Sequence, residues 1–278
     1  MLKRILVGAV FAPTVFVVLF LLPPVWTAVM VALITSLASY ELLRATKAAP
    51  DHGTYFVTAL SAGLIPLGVY LAETMLGLSA AVPVVLCGVL LMCVLFARAI
   101  RRFGGEQAVP MEHLLFCLFG GAMIPAFLSC LVQLKMMENG RFLVLLPVIC
   151  TFLTDSGAYF VGVFFGKHRG VTQVSPNKSL EGYVGGIIAG GLFLLLYGLA
   201  LQNFAGVEVS LPVLAVYGVF GSAVTELGDL SFSLIKRQFA VKDYGHLLPG
   251  HGGMMDRFDS MVFAAPTLWV MVQLFPAF

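Results

Sequence analysis

Residues 211–235 read LPVLAVYGVFGSAVTELGDLSFSLI. A bilayer core about 30 Å thick takes about 20 largely apolar residues of helix, because every backbone polar group must be satisfied inside the segment. This stretch has that length, and within it Ser222, Glu226, Asp229 and Ser233, with Lys236 just beyond, recur at helical spacing as one polar stripe. An ionisable group at membrane depth is costly, so a carboxylate there points to a functional site, with polar packing glue as the bland competitor. Glu226 could equally be the buried partner of a lysine.

Eight further stretches have similar length and apolarity: Ile5 to Leu22, Val25 to Leu43, Thr54 to Leu71, Leu78 to Ala97, His113 to Leu134, Phe142 to Phe165, Tyr183 to Leu201 and Phe258 to Phe278. The whole chain agrees with them. Of its 278 residues 60% are apolar and 11% charged, and it carries 23 Phe, with a mean hydropathy of +0.99. Soluble domains average about 45–50% apolar and about 25% charged, and disordered chains are poor in aromatics, so both classes are excluded. The expected fold is all-α: a polytopic integral membrane protein of about nine transmembrane helices. A net charge of +2 is too small for a nucleic-acid binder.

The first stretch follows Lys3-Arg4 and leads through Pro23-Pro24 directly into the next span, so it is expected to be a retained helix rather than a cleaved signal. With the amino terminus cytoplasmic, fourteen of the sixteen Lys and Arg fall on one side, and only Lys135 and Arg141 fall opposite. The five cysteines lie within apolar spans without metal-ligand spacing and read as small core residues. Up to about residue 150 the charges are expected in loops, whereas Asp155, Glu226 and Asp229 lie inside spans. Residues 1–140 therefore read as a structural or dimerisation region and 141–278 as the catalytic region.

Two loops carry the remaining polarity. Ser175-Pro176-Asn177-Lys178-Ser179-Leu180-Glu181-Gly182 reads as a loop entering a helix, with Ser179 as cap and Lys178 near the positive helix end, where anions bind. Asp155, Tyr159, Gly162 and Gly166 share one face of the sixth span, the glycines reading as packing sites. Ser233 to Asp259 contains Lys236-Arg237, Lys242-Asp243, His251-Gly252-Gly253 and Asp256-Arg257-Phe258-Asp259. Lys and Arg neutralise phosphate and glycines let backbone approach it, which suits a nucleotide or polyphosphate. Few carboxylates completed by substrate phosphates and water suit Mg²⁺, making Asp229 and Asp256 the metal candidates. Helix capping competes for Asp256 and Asp259 taken singly, at about 0.3–1 kcal/mol each. His52, His113 and His168 have no chemical company in the sequence. P-loop, zincin and serine-hydrolase motifs are absent from it.

Ser233 to Asp259 closely resembles the phosphatidate cytidylyltransferases, or CDP-diglyceride synthases, whose signature runs S-x-x-K-R, four residues, K-D, then H-G-G and D-R-x-D. Every fixed position is present. Asp155-Ser156-x-Ala158-Tyr159 and the 175–182 loop look like the family's upstream motifs, with Asn177 as a departure from the residues relatives often carry. The resemblance implies transfer of the cytidylyl group of CTP to phosphatidate, giving CDP-diacylglycerol and pyrophosphate. It further implies Mg²⁺, with a second cation as an option, a homodimer in a lipid bilayer, and a bacterial-type inner membrane with the active site facing the cytoplasm. On that basis Asp229 and Asp256 hold the metal, and Lys236, Arg237, Lys242 and Arg257 neutralise charge. Lys178, Ser179, Glu181, Asp155, Tyr159, Asp243, His251, Gly252, Gly253 and Asp259 bind or orient substrate. A CTP-dependent lipid kinase and a secondary transporter are the competing classes; a purely structural protein leaves the charged cluster unexplained.

Overall fold

A computed structural model describes residues 2–105, 108–247, 250 and 252–278, and His251, expected in the site, lies outside them. Among the described residues twelve α-helices follow in chain order: α1 Leu2–Phe20, α2 Pro24–Thr46, α3 His52–Leu71, α4 Ala81–Arg102, α5 Met111–Leu118, α6 Ile124–Leu128, α7 Cys130–Met136, α8 Gly140–Leu143, α9 Leu145–Phe165, α10 Leu180–Ala200, α11 Leu211–Gln238 and α12 Met255–Leu274. Single π-helical turns at Ala72–Leu76, Phe119–Met123 and Leu201–Ala205 extend α3, join α5 to α6 and extend α10. No strand forms among the described residues, as the all-α reading expects. Seven helical stretches among them are long and apolar enough to cross a membrane: Pro24–Thr46, His52–Leu76, Ala81–Arg102, Met111–Met136, Gly140–Phe165, Leu180–Ala205 and Leu211–Gln238.

The chain divides into two compact units, Met1–Met137 with Phe239–Phe258, and Glu138–Gln238 with Asp259–Phe278. In the first, hydroxyls join helices through main-chain carbonyls. Thr35 Oγ1 donates to Ala62 O at 2.8 Å, Ser36 Oγ to Ala59 O at 3.0 Å and Ser61 Oγ to Gly121 O at 2.9 Å. Such contacts suit an apolar environment, where helices gain little from mutual burial and adhere through close packing and hydrogen bonds.

The expectation that charges before residue 150 sit in loops is corrected: Arg44, Arg98, Arg101, Arg102, Glu112 and Arg141 lie within helices, as do the buried Lys135 and Glu41. Lys135, in α7, is 7% exposed and donates to Leu19 O at 2.5 Å and Phe20 O at 3.4 Å. The last carbonyls of a helix have no intrahelical partner, so a cation there satisfies them and complements the helix dipole. Glu41, in α2, is 6% exposed and receives a main-chain N–H, described below.

In the second unit, α10 turns a row of glycines toward α9 and α11. A Cβ on Gly218 would stand 2.5 Å from Gly191 Cα, and one on Gly190 would collide with Ser222 Oγ. Gly185, Gly186 and Gly190 are likewise sites of close helix packing, where a Cβ would stand within 3 Å of a neighbouring helix. Cys150, Thr154 and Ser222 meet in the same buried zone, Thr154 Oγ1 donating to Ser222 Oγ at 2.7 Å. The five cysteines are free, three of them buried.

The start of α3 shows how a charge is held at a helix end. Asp51 Oδ1 caps it by accepting Thr54 N–H at 2.8 Å, while Arg98 and Arg102 approach the carboxylate at 3.2 and 2.6 Å. Burial by itself would raise the Asp51 carboxyl, but the Thr54 N–H, Arg102 and Arg98 outweigh it and hold it below its ordinary value. The resulting stabilisation is complete above the ordinary carboxylate range and fades as pH falls through the lowered folded value. Asp51→Ala is expected to lower stability by about 0.5–2 kcal/mol at neutral pH, read by thermal unfolding in detergent. The gap between variant and wild type is expected to narrow on acidification toward about pH 3.

Candidate active site

The polar stripe of α11 is used residue by residue within the second unit. Ser222 joins Thr154. One turn on, Glu226 Oε2 receives Lys178 Nζ at 2.8 Å, and Asp229 Oδ2 receives the same ammonium at 2.6 Å. Lys236 Nζ lies 3.9 Å from Asp259 Oδ2, and Arg237 Nε donates to Val174 O at 3.3 Å. Glu226 is thus the buried partner of a lysine, one of the two readings its sequence position allowed.

Lys178 reaches these carboxylates because the loop before α10 is tightly folded. Gly170 N–H donates to Pro176 O, Lys178 N–H to Ser175 O and Leu180 N–H to His168 O, all between 3.0 and 3.1 Å. Ser179 then caps α10, its Oγ accepting Gly182 N–H at 3.1 Å, as its place ahead of Leu180 suggested. Glu181 Oε2 accepts the N–H groups of Lys167 and His168 at 3.2 Å, and Oε1 lies 2.6 Å from His168 Nδ1. His168 therefore has a carboxylate partner, which corrects the reading that left it without chemical company.

Burial opposes a charge on Lys178, but Asp229 and Glu226 together outweigh it and hold the ammonium well above its ordinary pKa. Its Nζ also lies 5.2 Å from the centre of the Tyr183 ring. A cavity of about 400 Å³ opens here, lined by Asp155, Tyr159, Arg169, Lys178, Ser179 and Asp229, with Ala158, Gly162, Val163, Asn177, Gly182 and Tyr183 completing the wall. Two cations and two carboxylates around one cavity suit a phosphate ligand together with a hard cation. Arg169 was missed in the sequence, where Lys167-His168-Arg169 reads only as part of the one-sided distribution of basic residues.

In the first unit, Asp256 stands in the first turn of α12 and is 9% exposed. Its Oδ2 accepts Tyr244 N–H at 2.8 Å and Gly253 N–H at 3.0 Å. Gly252 has φ +81°, a conformation that side chains other than glycine rarely adopt. Lys242 and Arg257 are exposed and Asp243 half-buried. Glu41 was also missed: its Oε2 accepts Met255 N–H at 2.9 Å. The signal available was a lone carboxylate in the otherwise apolar stretch Val25 to Leu43.

Among the described residues no group of three or more His, Cys, Asp or Glu side chains is placed to enclose a metal. Mg²⁺ does not require one, since it keeps water and substrate phosphates and takes only one or two carboxylates. Asp229, at the wall of a charge-balanced cavity, and Asp256, held by two N–H groups, each carry hard carboxylate oxygens of the kind such an ion takes.

The fold and site define a multi-pass helical membrane protein with paired charges around a cavity of about 400 Å³. Residues 2–275 match the model of the Cytidylyltransferase family, and the chain belongs to that family. It is similar to curated proteins named phosphatidate cytidylyltransferase. The relative from Staphylococcus saprophyticus is 38% identical over 157 residues, covering 56% of this chain and 58% of the relative. That from Bacillus subtilis is 43% identical over 122 residues, 44% of each chain. That from Mycobacterium tuberculosis is 38% identical over 159 residues, 57% of this chain and 47% of the relative. The matches thus span about half the length of these relatives.

Removing one member of a buried ion pair leaves its partner charged and unpaired. Lys178→Met is expected to lower stability by about 2–3 kcal/mol, below the full burial cost because 27% of the lysine side chain is exposed. Adding Glu226→Gln is expected to recover part of the loss, with a coupling of at least about 0.5 kcal/mol in a double-mutant cycle. Strict additivity would contradict the pairing.

Proposed function

We propose that the protein transfers the cytidylyl group of CTP to phosphatidate, forming CDP-diacylglycerol and pyrophosphate. The observation that carries the reading is the Lys178 ammonium held between Glu226 and Asp229 at the wall of the Asp155–Tyr159 cavity. Family membership and relatives named for this reaction support it.

The chemistry asks little of the protein beyond position and charge. The lipid phosphate, with a second pKa of ~6 by analogy with phosphorylated side chains, is largely a dianion at neutral pH. One of its oxygens attacks the α-phosphorus of CTP, a new P–O bond forms, and the α–β bridging bond breaks with pyrophosphate leaving. No protein nucleophile or strong base enters. Lys178 and Ser179 face the nucleotide phosphates, with Arg169 beside them. Lys236, Arg237, Lys242 and Arg257 offset the charge of the departing pyrophosphate, while Asp155, Tyr159, Asp243 and Asp259 orient the substrates. Mg²⁺, for which Asp229 and Asp256 are the ligands in this reading, supplies charge neutralisation at nucleotide oxygens when bound.

A lipid substrate and a soluble nucleotide require a site open both to the inner leaflet and to the cytoplasm. The proposed topology provides this with nine spans, adding residues 5–22 and 258–278 to the seven apolar stretches, and a cytoplasmic amino terminus. Fourteen of sixteen basic residues on one side support that orientation. A homodimer in a bacterial-type inner membrane, with residues 141–278 carrying the chemistry, completes the proposal.

The test uses purified protein in detergent with Mg²⁺, phosphatidate and CTP labelled at the α- or the γ-phosphate. Equimolar lipid-linked cytidine and pyrophosphate are expected, and Asp229→Asn is expected to abolish both while the protein stays folded. Transfer of γ-label to lipid would establish a kinase instead. No reaction with any divalent metal would overturn the proposal.

A further inference from the structure

The first unit holds a buried carboxylate with no part in the reaction as described. Glu41 belongs to α2, yet it meets residues more than two hundred positions later in the chain. Its Oε2 accepts Met255 N–H, the first amide of α12, at 2.9 Å. First-turn amides have no intrahelical acceptor, so Glu41 caps α12 from another helix. A Cβ on either Gly245 or Gly253 would collide with the Glu41 carboxylate, which therefore fills the space beneath both glycines. Directly above, Asp256 Oδ2 gathers the amides of Tyr244 and Gly253. Tyr244, Gly253 and Met255 are thus held at one end of α12 by two carboxylates, and Gly253 touches both.

We infer that Glu41 is a positioning residue for the reaction: by capping Met255 and supporting Gly245 and Gly253 it fixes the main chain at Tyr244 and Gly253 whose amides orient the Asp256 carboxylate. The inference rests on the proposed cytidylyl transfer only for its effect on rate. Its structural content stands on the contacts within this unit. What Glu41 contributes is reach, since an acceptor is needed at the Met255 amide and bulk is needed beneath two glycines.

Reach separates three variants. Glu41→Gln keeps length and an acceptor, Glu41→Asp keeps the charge but falls one methylene short, and Glu41→Ala removes both. Hydrogen exchange of the full-length protein, without metal or substrate, is expected to show the amides of Tyr244, Gly253 and Met255 exchanging faster in the order wild type, Gln, Asp, Ala. In the transfer assay, Glu41→Ala is expected to raise the Mg²⁺ concentration for half-maximal activity by about 10–100-fold, as loss of a residue supporting a ligand does. The KM for phosphatidate is expected to stay unchanged, and Glu41→Gln to recover most of the loss.

Wild-type exchange and wild-type Mg²⁺ dependence in a folded Glu41→Ala protein would overturn the inference, as would Asp protecting these amides better than Gln. Should Glu41→Ala fail to fold, the order of Gln and Asp decides alone. If the wild type transfers no cytidylyl group, the functional proposal fails, and the exchange order still decides whether Glu41 holds the main chain there.

Discussion

A charge placed among apolar helices must find its counter-charge within the protein, and the Lys178 ammonium does so between Glu226 and Asp229. Much of the second unit follows from that requirement. The loop before α10 is hydrogen-bonded along its length so that Lys178 arrives at the helix carrying the two carboxylates. Glycines along α10 let α9 and α11 approach until Ser222 and Thr154 touch, which keeps Glu226 within reach. The arrangement is a stability element, and in the proposed reaction a functional one as well. Its single cation is shared by two anions beside a cavity, so a phosphate entering there finds a lysine already fixed in place.

The first unit solves a similar problem with carboxylates and amides. Asp51, Glu41 and Asp256 each accept main-chain N–H groups at or near a helix start, where the backbone offers donors without intrahelical acceptors. Asp51 is further balanced by Arg98 and Arg102. Lys135 is the mirror case, a buried cation on the carbonyls that end α1. In this unit helix ends hold the charges of Asp51, Glu41, Asp256 and Lys135 at low cost.

Hydropathy made the all-helical membrane class legible, because a bilayer admits few alternatives and the apolar runs are long. Asp155, Glu226 and Asp229 stood out for the same reason: each is a carboxylate in an apolar run. The stripe on α11 followed from spacing, and Ser179 as a cap from its place before Leu180. Pairing was not legible, since the Lys178–Glu226 contact joins residues 48 apart across a loop that has no period. Glu181 shows the same limit, its position matching a motif while its carboxylate folds back on Lys167 and His168. Glu41 escaped notice because one carboxylate near a span end looks like loop polarity, and its partner amide lies at the far end of the chain.

The central claim is that the Lys178 ammonium, held by Glu226 and Asp229, receives the nucleotide phosphates. A structure determined with an unreactive CTP analogue and Mg²⁺ tests it most directly. The account predicts phosphate oxygens within hydrogen-bonding distance of Lys178 Nζ, in the cavity lined by Asp155 and Tyr159. Nucleotide phosphates bound elsewhere, with Lys178 still closed on its two carboxylates, would contradict it.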